Sequence, residues 1–129
     1  MKLVLPLFLL LLACSWAGAE EVTHTKDTLP DIKKAVEEGK AVLVDCREEG
    51  EWTEGHLKGA TFLPLSVVKK LKSAPDILPK DKPVYIHCAA GGRCLKATEI
   101  LKSLGVDARA IKAGYDEMKE KGFTEAPKK

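Results

Sequence analysis

Almost no net charge remains in this chain of 129 residues, because 21 lysines and arginines face 19 aspartates and glutamates. Proteins that hold a nucleic-acid backbone do so with an excess of clustered positive charge, so this balance argues against nucleic acid as a partner. No apolar run is long enough to span a bilayer, which takes about 20 residues. The longest run, Leu3 to Ala13, has eleven. There is no internal repeat, no low-complexity segment and no stretch resembling a disordered polyelectrolyte. The length suits one domain and leaves little room for a second.

The short apolar run follows Lys2 and precedes Ala17-Gly18-Ala19. One positive charge, an apolar stretch and an A-x-A site form the pattern of a secretory signal peptide. The expectation is a leader over residues 1–19, a domain over 20–129, and an exported protein, periplasmic or secreted. Leu11-Leu12-Ala13-Cys14 offers an alternative, a lipoprotein anchored through a lipid at Cys14. Cleavage after Ala19 leaves three cysteines, Cys46, Cys88 and Cys94. An odd number cannot pair off completely, so at least one thiol stays free. A chain of this size buries a single core without disulfides.

Apolar strand-like runs alternate with amphipathic stretches after the leader, which predicts an α/β domain. Val22 to Thr25 reads as a weak first strand. Leu29, Ile32 and Val36 form a helical stripe capped by Asp27 or Thr28 and stopped at Gly39. Ala41 to Val44 and Val84 to Ile86 are continuous apolar runs, as expected of central parallel strands covered on both faces. Thr61 to Leu63 is a short strand stopped by Pro64, and Ser66 caps a short helix. Ala97, Ile100, Leu101 and Leu104 mark a helix ended by Gly105. A last strand covers Val106 to Ile111, a last helix Tyr115 to Lys121, and the tail from Glu125 reads as frayed. The expectation is a single three-layer domain of about five mainly parallel strands, with helices on both faces.

The chemistry concentrates in Val84-Tyr85-Ile86-His87-Cys88-Ala89-Ala90-Gly91-Gly92-Arg93-Cys94. A buried strand ends, a cysteine follows, and a loop of small residues enters a helix. Ligands of open α/β sheets sit at the carboxyl ends of strands. Ala89, Ala90, Gly91 and Gly92 allow the backbone to curl and aim several N–H groups at one point, a nest for an anion. The helix N-terminus adds donors and partial positive charge. Cys88 lies where that field favours the thiolate over a free thiol of pKa about 8.5. Arg93 adds a cation that steers an anionic substrate. Asp45 and Arg47 end the neighbouring strand, either as an ion pair buttressing the loop or as a solvated turn pair. Cys46 alternates into the core as packing. His56 is a turn residue bonding backbone, and His87 alternates away from Cys88.

Four segments in order resemble the rhodanese domain family, specifically its exported single-domain members, over about residues 22 to 123. Cys88 to Arg93 matches the C-x-x-G-x-R loop, and Val44-Asp45-Cys46-Arg47-Glu48 is similar to the D-x-R-x-x-x-E segment. Glu54-Gly55-His56-Leu57-Lys58-Gly59-Ala60 is similar to G-H-I-x-G-A, and Ala113 to Met118 to G-G-x-x-x-W. Ala113 and Met118 depart from that last pattern. The resemblance implies a sulfurtransferase that works without metal or organic cofactor. Cys88 attacks the sulfane sulfur of a small sulfur-containing anion such as thiosulfate, becomes a persulfide, and yields the sulfur to a thiol or a cyanide-like acceptor. Ala89 to Arg93 would stabilise the persulfide anion.

Cys94 stands where that family commonly carries a hydroxyl. It is either a substituted helix cap or a second thiol able to form a disulfide with Cys88. Two other functions remain. One is a persulfide carrier or redox module bound to a partner protein. The other is a cysteine phosphatase or arsenate reductase, whose loop holds five residues between Cys and Arg where this one holds four, a cradle one residue short for phosphate.

Overall fold

The computed structural model describes residues 21–128. The expected leader and the alternative lipidation at Cys14 fall outside the described residues. Four parallel strands form one sheet: β1 (Val42–Asp45), β2 (Thr61–Phe62), β3 (Val84–His87) and β4 (Ala108–Ala110), in the order β2-β1-β3-β4. Five helices connect or flank them: α1 (Leu29–Glu37), α2 (Glu49–Glu54), α3 (Leu65–Val68), α4 (Arg93–Ser103) and α5 (Tyr115–Glu120). Among the described residues, no helix is long and apolar enough to cross a membrane.

The sheet is covered on both faces, giving the three layers expected. Val44, Val84 and Ile86 pack with Val68 of α3 and with Ala97 and Leu101 of α4. Leu43 and Tyr85 pack on the other face with Ile32 of α1 and Met118 of α5. Alternation along β1 and β3 sends successive side chains to opposite layers, so both strands are apolar until their last residues, Asp45 and His87.

The chain leaves β1 toward β2 on one side and leaves β3 toward β4 on the other. The carboxyl ends of β1 and β3 therefore flank a crevice where the connections diverge, the place an open α/β sheet offers a ligand. Pairing of Asp45 with His87 continues in a bond from the Cys46 N–H to the His87 carbonyl, 3.0 Å. Cys46 is thereby set alongside Cys88.

The structure differs from the sequence expectation at several points. The weak first strand shrinks to one bridge, His24 with Ala110, fastened by the Thr25 N–H on the Ala110 carbonyl at 2.7 Å. This segment lies at the sheet edge and, with Val22 its sole aliphatic residue, has little to bury. Helix α2 leaves no periodic signal in the sequence, because it buries no residue and so carries no apolar stripe. A reciprocal capping box between Glu48 and Glu51 holds its start instead. Pro64, rather than Ser66, stands at the cap of α3, and Ser66 bonds the Glu48 carboxylate. The tail from Glu125 is not frayed: Glu125 bridges Leu57, and the Ala126 N–H donates to His56 at 2.8 Å. Thr28 is the cap of α1, its hydroxyl accepting from the Asp31 N–H at 3.3 Å.

Candidate active site

Cys88 follows β3 directly and is almost fully buried, with 1 % of its surface accessible. Ala89, Ala90 and Gly92 of the loop beyond it are exposed. Gly91 turns back inward at φ +86°, a conformation that a side chain would strain. Its N–H donates to Cys88 Sγ at 3.1 Å. A Cβ at Gly91 would meet the Lys112 carbonyl at 2.5 Å, so glycine is required for close approach as well. A Cβ at Gly114 would collide with the Ala89 carbonyl, which explains why one glycine of the closing motif persists where Ala113 replaced its neighbour.

Three thiols meet at this point. Cys46, Cys88 and Cys94 are all free, all buried, and all in the layer against α3 and α4. The Cys88 thiol is held well below the ordinary range. The neighbouring Cys46 and Cys94 thiols favour its anion, and with the backbone N–H groups of Cys94 and Ala90 they outweigh the opposing effect of burial. Cys46 and Cys94 are pushed the other way, chiefly by the neighbouring Cys88 thiolate and by burial, and stay protonated. Cys88 is the thiolate of the three.

A lowered pKa keeps thiolate present as pH falls. The ultraviolet thiolate absorbance of the wild type, less that of Cys88→Ser, should stay level from about pH 8 to about pH 6. An ordinary thiol of pKa about 8.5 would lose nearly all of its signal over that interval. A difference that fades in the ordinary way would show that the loop does not favour the anion.

Arg93 opens α4 but is not a free cation. Its guanidinium grips the Glu51 carboxylate of α2 at 2.6 and 2.8 Å. Arg93 holds the Glu51 carboxyl down at about 2. Glu51 also accepts the Glu48 N–H at 3.1 Å, which fixes its direction. Glu51 is the last residue of the D-x-R-x-x-x-E pattern, and that pattern is the signal by which the sequence marks it. The loop is thus tied to α2 on one side. It is tied on the other by His24, whose Nε2–H donates to the Gly91 carbonyl at 2.5 Å. Nothing in the local sequence around His24 marks it for this role, since the bond joins residues 67 apart.

Asp45 and Arg47 form a buried ion pair, not a solvated one. Arg47 Nη2 lies 2.8 Å from Asp45 Oδ2, and side-chain exposures are 6 % and 0 %. Arg47 also donates to the Gly55 carbonyl at 2.7 Å and stacks over the Tyr115 ring at 3.9 Å. The pair braces the end of α2 and the start of α5, and it reaches the loop only indirectly, through the Tyr115 N–H on the Cys88 carbonyl at 3.1 Å. Arg47, Ala89, Tyr115, Lys119 and Glu125 line a cleft of about 410 Å³ beside the loop.

His87 does point away from Cys88. It is fully buried, near Tyr115 and 3.7 Å from Asp45 Oδ2, and burial lowers its pKa so that the ring stays neutral. His56 donates to the Trp52 carbonyl at 3.0 Å and stacks on the Trp52 ring.

A thiolate at the carboxyl end of a central strand, ringed by backbone N–H groups and a helix N-terminus, defines a nucleophilic α/β domain with a cysteine loop. The rhodanese-like domain model matches residues 28–121, and the chain belongs to that family. It is 36 % identical over 77 residues to the uncharacterized protein YqhL of Bacillus subtilis, spanning 59 % of each chain. It is 31 % identical over 117 residues to the human thiosulfate:glutathione sulfurtransferase, covering 81 % of this chain and 97 % of that protein. The crystal structure of a rhodanese-related protein from Thermoplasma volcanium superposes with a TM-score of 0.64 at 24 % identity, over 76 % of this chain and 93 % of that one, and shares the fold.

Proposed function

We propose that this chain moves a sulfane sulfur from a small anionic donor such as thiosulfate to a thiol or cyanide-like acceptor through a persulfide on Cys88. The observation that carries this reading is the Cys88 thiolate held by the Gly91 N–H at the floor of a loop whose Ala89, Ala90 and Gly92 face solvent. The human relative, a thiosulfate:glutathione sulfurtransferase that the chain matches over nearly its whole length, supports both the donor and the thiol acceptor.

In the first step Cys88 Sγ attacks the outer sulfur of thiosulfate. The Cys88–sulfur bond forms, the sulfur–sulfur bond of the donor breaks, and sulfite leaves with the electron pair. The persulfide anion takes over the N–H groups that held the thiolate, as an oxyanion hole holds an oxyanion. In the second step a thiolate or cyanide attacks the outer sulfur and restores Cys88. Splitting the transfer in two is covalent catalysis by an activated nucleophile.

Mass spectrometry at the earliest times after thiosulfate treatment should find one added sulfur on the Cys88 peptide, and glutathione supplied with the donor should carry it away over many turnovers. A chain that neither gains sulfur nor releases it as sulfide overturns the proposal. A chain that gains one and stalls is a carrier for a partner, not an enzyme for small molecules.

A further inference from the structure

The transfer cycle uses one sulfur atom of the protein, yet the fold brings three together. Cys46 and Cys94 need separate accounts. The Cys94 S–H has backbone acceptors, the Gly91 carbonyl at 3.2 Å and the Ile111 carbonyl at 3.3 Å. Cys46 has no such anchor among the described residues, and the strand register sets it beside Cys88. A cysteine that only fills space is the ordinary case for a buried thiol. Cys46 departs from it because the sheet register aims it at the nucleophile.

The placement comes from strand pairing. Asp45 of β1 pairs with His87 of β3, and the Cys46 N–H on the His87 carbonyl carries the ladder one residue further. The next residues on the two strands are Cys46 and Cys88, and both face the α3 and α4 layer. Neighbouring strands lie about 4.8 Å apart. Disulfides form across Cα separations of about 4.4 to 6.8 Å. Both sulfurs are shielded from water, at 0 % and 1 % exposure.

Resting on the sulfurtransferase reading, we infer that Cys46 is a resolving thiol: once Cys88 carries a sulfane sulfur and no acceptor arrives, Cys46 attacks Cys88 Sγ and expels the outer sulfur as hydrosulfide. The Cys46–Cys88 bond forms and the Cys88–outer-sulfur bond breaks. The Cys46 proton passes to the departing sulfur, so a thiol and a persulfide anion become a disulfide and HS⁻, with charge conserved. The sulfane sulfur is reduced by two electrons, and the two cysteine sulfurs supply them. A dithiol or monothiol reductant then reopens the disulfide by exchange. The site thus has two exits, transfer to an acceptor and release as sulfide, and the second leaves the nucleophile capped until thiols are available.

The test treats the fully reduced protein with thiosulfate, without acceptor. Released sulfide is measured, and the cysteine peptides are mapped without reduction. The wild type should release one sulfide per chain and carry a Cys46–Cys88 disulfide, and Cys94→Ser should form the same disulfide. Cys46→Ser and Cys46→Ala should instead retain the added sulfur on Cys88 and release no sulfide above the donor background. Persistent persulfide in the wild type, or a Cys88–Cys94 link, overturns the resolving role of Cys46 and leaves sulfur transfer intact. A chain that takes up no sulfur in any form overturns both readings. The wild-type map decides the matter even if a Cys46 variant does not fold.

Discussion

Cys88→Ser should lose sulfur transfer to the uncatalysed background, a fall of at least about a thousandfold, with the fold intact. A serine hydroxyl is not ionised near neutral pH and cannot hold a sulfane sulfur as a leaving group. The change is nearly isosteric, and the hydroxyl oxygen still accepts the Gly91 N–H that now reaches Cys88 Sγ at 3.1 Å. Circular dichroism and the thermal midpoint should therefore stay close to wild type, within the range of mild substitutions. Steady-state transfer from thiosulfate to cyanide, measured beside the melting curve, checks both halves. Transfer that survives in a folded Cys88→Ser protein would remove Cys88 from the chemistry.

Arg47→Ala should destabilise the protein by about 3–5 kcal/mol, because it strands the Asp45 carboxylate in a buried site. Asp45 is fully buried and takes three bonds from the Arg47 side chain, at 3.1, 3.1 and 2.8 Å. The Gly55 carbonyl loses its donor too. For a domain of this size the thermal midpoint should drop by more than about 10 °C. Arg109→Ala is the comparison. Arg109 also pairs with two carboxylates, Asp27 and Asp107, but at 36 % side-chain exposure. Exposed pairs contribute under about 1 kcal/mol. Equal losses in the two variants, read from urea titrations, would mean that the buried pair adds nothing beyond a surface pair.

Much of this molecule is local and was readable in the chain. The apolar runs at Ala41–Val44 and Val84–Ile86 underlie β1 and β3, because a strand covered on both faces admits little else. Small residues from Ala89 to Gly92 between a strand end and a helix start determine the loop, because backbone freedom and helix polarity act over a few residues. The weak segment at Val22 to Thr25 was over-read as a strand, since the alternation of four residues cannot show that an edge pairs through a single bridge. The tail was under-read, since nothing before Glu125 shows that Tyr115 will donate to its carboxylate at 2.7 Å.

The layered α/β architecture, the candidate nucleophile and its nest are legible in the chain, each a property of neighbours along it. Which side chains stand around that nest follows from how the layers pack. Arg93 meets Glu51 across 42 positions, His24 meets Gly91 across 67, and Cys46 meets Cys88 through the register of two paired strands. Such encounters depend on strand order and helix docking, which set distances between residues remote in sequence and leave no mark on local periodicity. For the same reason Arg93 read as a free cation and Cys46 as inert packing, until the sheet brought a carboxylate to one and the thiolate to the other.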